Sequence, residues 1–282
     1  MIPHLRIILL IVVAGIFSNA CTNNESNMKS EKSSEEQSEW NLVWADEFDG
    51  ETLNSEYWNR QVVRAGRFND EWQRYTDSEK NAHVEDGILI LNAIHESDEH
   101  GVDQYTSARL NTAGKQSFKY GKIAARIKLP KGEGIWPAFW MLGTNINENG
   151  GDTPWPQSGE IDILELYGSK DPAVIEANIH YADENEQHTM MGAVPYSLSE
   201  GNFSDDFHIF ELEWSADSLK WFVDGNQFAS VSITDEVYSE FRNDFFILLN
   251  IAVGGTWAGR PDDTTPFPAQ MHVDWVRYYE KV

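Results

Sequence analysis

The chain has 282 residues, enough for one large domain or two small ones, and its 41% hydrophobic and 24% charged residues suit a soluble protein with a sizeable core. A net charge of −25, from 46 Asp+Glu against 21 Lys+Arg, repels phosphate backbones, which excludes nucleic acid as a natural partner and favours a neutral ligand. A single cysteine excludes an intrachain disulfide framework and any cysteine-based zinc site, whereas 11 Trp is a high count that asks for a use.

Residues 1–20 read as an export signal. Arg6 supplies a positive flank, and Ile7 to Phe17 form an apolar run too short to span a bilayer. Ser18 and Ala20 then precede Cys21, as in a bacterial lipoprotein cleaved before the cysteine and lipidated on its sulfur, although Ser18 replaces the usual Leu. The expected product is exported and anchored through Cys21 to a bacterial membrane, on the periplasmic or cell-surface side of an outer membrane. An ordinary secretory signal with a chance cysteine is the alternative. Residues 21–39 are rich in Ser, Glu, Asn and Lys and nearly free of apolar side chains, so they predict a disordered tether. The folded domain is expected over 40–282.

Within it, short apolar or alternating segments recur between Gly, Asp, Asn and Pro: 83–95, 119–130, 159–168, 205–215, 218–233, 245–255 and 271–281. Lys122 to Leu129 roughly alternate, as in a half-buried strand. Asp224-Gly225 sits between two strand-like runs and predicts a hairpin. Residues 233–243 predict only a short helical turn. There is no internal repeat. Many strands and almost no helix predict an all-β sandwich or jelly roll.

The segment from Gly159 to Glu165 sets three carboxylates among aliphatic residues. On a strand, Glu160 and Asp162 share a face because side chains alternate. Glu165, five residues after Glu160, falls on the opposite face unless a bulge at Ile163-Leu164 restores it. Four pleat steps then separate the Cα atoms of Glu160 and Glu165 by about 13 Å. Long Glu side chains leaning together close that gap to the ~5–5.5 Å of a retaining glycosidase pair. An acidic strand face is usually only solvated. Here its companions are GEGIWPAFWMLG (132–143) and LNIAVGGTW (249–257), whose indoles offer flat faces for the C–H side of sugar rings.

WPAFWML and EIDILE resemble the signature of glycoside hydrolase family 16, in its bacterial laminarinase (endo-1,3-β-glucanase) branch. The resemblance runs in order through LVWADEFDG (42–50), NDEWQRYT (69–76), YTSARLNT (105–112) and VDWVRYY (273–279). It implies a β-jelly roll of two curved antiparallel sheets with a concave substrate cleft, and an endo-acting, retaining hydrolase of laminarin-type β-1,3-glucan. It implies Glu160 as nucleophile, Glu165 as general acid/base and Asp162 as the residue that hydrogen-bonds the nucleophile. Asn69, Arg109, Trp136, Trp140, His180 and Trp257 match substrate-binding positions, although Arg109 could equally serve a salt bridge. The resemblance implies no cofactor for catalysis, and a structural calcium ion held by the Glu47 side chain, the Gly87 carbonyl and Asp274.

Residues 144–157 form a loop longer than the family's usual link, expected to border the cleft and influence which glucans fit. Alternatives within the family are a mixed-linkage β-1,3-1,4-glucanase or a galactanase; sulfated galactans call for basic clusters that this chain lacks. From another class, the alternative is a β-glucan-binding protein without catalysis, which would be expected to lose the three carboxylates. No sequence feature points to an oligomer, so a monomer is expected.

Overall fold

The computed structural model describes residues 39–282. The export signal, Cys21 and all of the tether but its last residue lie outside the described residues. Glu39, assigned to the tether, is already held: its carboxylate pairs with Lys281 Nζ at 2.6 Å, and its carbonyl accepts the Val282 amide. The first strand follows at Trp40–Asp46.

Two sheets make up the fold. The first has seven strands, in the spatial order His188–Ser197, Val174–Ala182, Glu160–Glu165, Ile135–Gly143, Phe245–Val253, Arg109–Asn111 and Asn59–Arg60. Every pairing in it is antiparallel. The second has ten strands, centred on His208–Trp214, Gly121–Lys128, Ala269–Lys281 and Ile88–Ser97. The expected all-β sandwich is what these residues form. Asp224 and Gly225 make the expected hairpin turn, both with positive φ (49° and 76°), the backbone that a two-residue loop between twisted strands requires. The helical turn expected in 233–243 is a 3₁₀ segment at Glu236–Arg242.

Period-two alternation decides which face of the first sheet is dry. In Phe245–Val253, Phe245, Ile247, Leu249, Ile251 and Val253 join the core between the sheets. Their neighbours Phe246, Leu248 and Ala252 belong to separate small clusters on the other face. Ile135–Gly143 repeats the pattern: Ile135, Phe139 and Met141 point to the core, and Trp136 and Leu142 point away from it. Each buried aliphatic side chain stabilises the sandwich by roughly 1.5–3 kcal/mol, so both strands are anchored strongly by one face while the other remains available.

A candidate active site

The strand Glu160–Glu165 breaks this alternation. Ile161, Ile163 and Leu164 all belong to the core, so two consecutive residues point the same way. The register slips between Asp162 and Leu164 against Ile135–Gly143, and between Asp162 and Glu165 against Val174–Ala182. This is the bulge that the carboxylate spacing demands. It brings Glu160, Asp162 and Glu165 onto the lining of one cavity of about 960 Å³.

Each carboxylate has its own surroundings. Glu165 is buried and accepts three hydrogen bonds: from Trp136 Nε1 at 3.0 Å, Tyr167 OH at 2.8 Å and Asn178 Nδ2 at 2.9 Å. Glu160 keeps 17% side-chain exposure and accepts from Trp155 Nε1 at 2.8 Å. Asp162 is buried between them; its Oδ2 lies 3.2 Å from His180 Nε2 without the alignment of a hydrogen bond. His180 Nε2 is also 4.0 Å from Glu160 Oε1, and its Nδ1 is 2.9 Å from Nε2 of His188.

Burial in a low-dielectric cleft disfavours charge on all three carboxyls and pushes each above the usual carboxylate range. For Glu160, desolvation acts first and the charge of Asp162 second, pushing it up to about 8. Asp162 is raised too, by its burial first and by the neighbouring charge of Glu165 second. The charge of Asp162 and the hydrogen bond from Trp155 act on Glu160 in opposite senses. At Glu165 the three donors oppose the effect of burial. Burial favours the protonated form that a general acid needs, while the donors to Glu160 and Glu165 favour the ionised form.

All six residues matched to substrate binding line this cavity. Trp136 and Trp140 stand on its floor, Trp140 tied by Nε1 to Asn250 Oδ1 at 2.7 Å. Trp257 stands at the rim, 58% exposed, on the short helix Gly255–Ala258. Asn69 abuts that helix, its carbonyl accepting the Thr256 amide at 2.9 Å. A Cβ on Gly255 (φ 81°) would lie 2.7 Å from this same carbonyl, so only glycine allows the approach. Arg109 is buried and largely committed to the protein: Nε donates to Gln61 Oε1 at 2.6 Å, and Nη2 lies 3.5 Å from Glu148. Its guanidinium sits 4.7 Å from the ring centres of both Phe68 and Trp140, so it fixes an indole as well as lining the cleft. The salt-bridge alternative for Arg109 therefore stands beside the binding one.

The loop 144–157 does border the cavity, through Asn147, Glu148 and Trp155. Several residues here have no role that the sequence alone suggests. Trp155, Tyr167 and Asn178 hold the carboxylates, and Glu71 anchors a buried chain beneath the floor. Glu71 accepts from Gln73 at 2.6 Å and Tyr75 at 3.1 Å, and Tyr75 in turn accepts from Asn250, the partner of Trp140. Trp155 and Asn178 are close to the carboxylates only through folding. Tyr167, two residues beyond Glu165, is the one that period-two reasoning reaches.

The expected calcium ligands do not fit a cation as they are arranged. Arg277 binds both oxygens of Glu47, at 2.7 and 2.9 Å, and Arg126 binds Asp274 at 2.6 Å, so each carboxylate is already neutralised. Gly87 occupies a positive-φ turn between Ala82–Glu85 and Ile88–Ser97.

Residues 69–277 match the family model described as glycosyl hydrolases family 16. Among solved structures, the laminarinase catalytic domain of Thermotoga maritima MSB8 is 44% identical, with a TM-score of 0.75, covering 86% of this chain and 99% of that one. The beta-glucanase of Rhodothermus marinus is 40% identical over 86% of each chain. The glucan endo-1,3-beta-glucosidase A1 of Niallia circulans is 35% identical over 86% of this chain, which spans only 38% of that protein's length.

Proposed function

The chain belongs to the glycosyl hydrolases of family 16, and on that premise we propose that it is an endo-acting, retaining β-1,3-glucanase of the laminarinase type. The observation that carries this reading is the bulge at Ile163-Leu164, which gathers Glu160, Asp162 and Glu165 on the lining of one aromatic-lined cleft.

Glu160 attacks the anomeric carbon while Glu165 gives its proton to the departing glycosidic oxygen. The bond to the leaving sugar breaks as the Glu160 ester forms. Glu165, now ionised, takes a proton from water; the water attacks the same carbon, and the ester carbon–oxygen bond breaks to release Glu160. Two inversions give net retention. Asp162 stands beside Glu160 and tunes its ionisation through its charge. Trp136, Tyr167 and Asn178 fix both oxygens of Glu165 through its change of role. Trp136, Trp140 and Trp257 offer indole faces to pyranose rings, and the acidic surface suits an uncharged polymer. No step uses a cofactor or metal.

The test is sugar release from laminarin and from mixed-linkage glucan by the wild type and by Glu160→Ala. Release from laminarin that disappears in the variant supports the reading, and the ratio between glucans gives the linkage preference. Tight laminarin binding with no release would mark a binding protein instead.

The reading includes export and a lipid anchor at Cys21, supported by the apolar run Ile7 to Phe17 ahead of the cysteine. A Cys21→Ser variant should then leave the membrane fraction of a bacterial host.

A further inference from the structure

We propose that Glu160, Asp162 and His180 form a three-ligand site for one borderline divalent transition ion, Zn²⁺ above all, and that an ion held there shuts the cleft to polysaccharide. The site rests on geometry alone; its inhibitory consequence rests on the hydrolase reading.

Among the described residues, this is the one group of three or more His, Cys, Asp or Glu side chains whose ligand atoms all lie within 4.8 Å of one another. Asp162 Oδ2 is buried with no hydrogen-bond partner and faces the group, 3.2 Å from His180 Nε2. Glu160 Oε1 is 4.0 Å from the same nitrogen. Zinc–nitrogen and zinc–oxygen bonds of ~2.0–2.2 Å put neighbouring ligand atoms of a tetrahedral ion roughly 3.3–3.6 Å apart. One distance is already close to that range, and a small rotation of the Glu160 carboxylate brings in the other.

The surroundings are those of a metal-binding histidine. His188 Nε2 lies 2.9 Å from His180 Nδ1, a contact that lets Nδ1 carry the proton and leaves the Nε2 lone pair facing the two carboxylates. Trp155 occupies Glu160 Oε2, which leaves Oε1 for the ion. One imidazole with two carboxylates selects zinc or copper over calcium and magnesium, which want more oxygens and more room. The fourth position opens into the cavity, where water completes the shell. An ion so placed takes up the Glu160 lone pair that attacks sugar. The other close His–carboxylate pairs, His95 with Asp103 at 2.8 Å and His208 with Asp224 at 2.7 Å, offer two ligands each.

The test is calorimetric titration of the full-length chain with zinc chloride in chelator-free buffer at pH 7. The expected result is one ion per chain, with affinity at least tenfold weaker in Asp162→Asn and in His180→Gln, each shown to be folded by circular dichroism. No binding up to millimolar zinc, or equal binding by both folded variants, overturns the site. Should a variant fail to fold, the wild type decides with cobalt(II) as the probe. Its paramagnetism must broaden the indole NH signals of Trp155 and Trp136, the former assigned with Trp155→Phe, ahead of other tryptophans. Sharp signals from both at saturating cobalt overturn the proposal. Zinc that binds at the site without slowing glucan hydrolysis overturns the inhibitory consequence. A chain that binds zinc but never hydrolyses glucan refutes the hydrolase reading and leaves the site standing.

Discussion

Trp221 Nε1 donates to the backbone carbonyl of Asp162 at 2.9 Å, so an aromatic side chain of the ten-stranded sheet grips the cleft sheet where its register slips. The contact is buried, and a bulge leaves ladder groups without their usual partners. Trp221→Phe keeps most of the packing and orphans that carbonyl, at a cost of about 1–3 kcal/mol. Thermal unfolding should fall by roughly 2–10 °C. The rate should fall with kcat rather than KM, because the carboxylates lose their spacing while the aromatic floor stays.

Trp155 tests the charge on Glu160 from the other side. Its N–H favours the ionised carboxylate, so Trp155→Phe should raise the Glu160 pKa further. The acidic limb of the kcat/KM–pH profile then moves to higher pH, and kcat falls about tenfold at neutral pH, equivalent to ~1.4 kcal/mol. An unmoved limb would mean that the hydrogen bond has no influence on Glu160.

Asp162→Asn should move the same limb the opposite way. After burial, the charge of Asp162 is the largest influence raising Glu160. An amide removes that charge, so ionisation of Glu160 shifts to lower pH, by about one unit or more.

Stability should carry the signature of Glu160. A carboxyl raised from 4.5 to about 8 binds its proton more tightly in the folded chain than in the unfolded one. The folded state is therefore favoured below pH 4.5 and loses that advantage as pH climbs through 8. Glu160→Gln does not titrate. Its stability relative to wild type should rise across that window to about 1–3 kcal/mol, less than the full linkage because Glu160 retains some exposure. Urea titrations at pH 4.5 and pH 9 measure the difference.

Much of the site was legible along the chain because it depends on local periodicity. The spacing of Glu160, Asp162 and Glu165 requires the bulge, and core packing of Ile163 and Leu164 supplies it. The Asp224-Gly225 hairpin follows from turn chemistry for the same reason. What escaped is pairing between residues far apart. The hydrogen bond of Asn250 to Tyr75 spans 175 positions, and nothing near either residue announces it. Glu47 and Asp274 look like oxygen ligands in isolation; only the fold reveals Arg277 and Arg126 against them. For Arg109 the sequence leaves binding and a salt bridge both open, and only the fold shows Gln61, Glu148, Phe68 and Trp140 around it.

The account turns on Glu160 being the atom donor to the covalent intermediate. The most direct measurement is incubation with a 2-fluoro β-1,3-gluco-oligosaccharide carrying a good leaving group, which slows hydrolysis of the glycosyl-enzyme, followed by peptide mass mapping. The account predicts one added glycosyl group per chain, on Glu160. A label on Glu165 or Asp162, or hydrolysis of the reagent with no labelled peptide at any time, would contradict it.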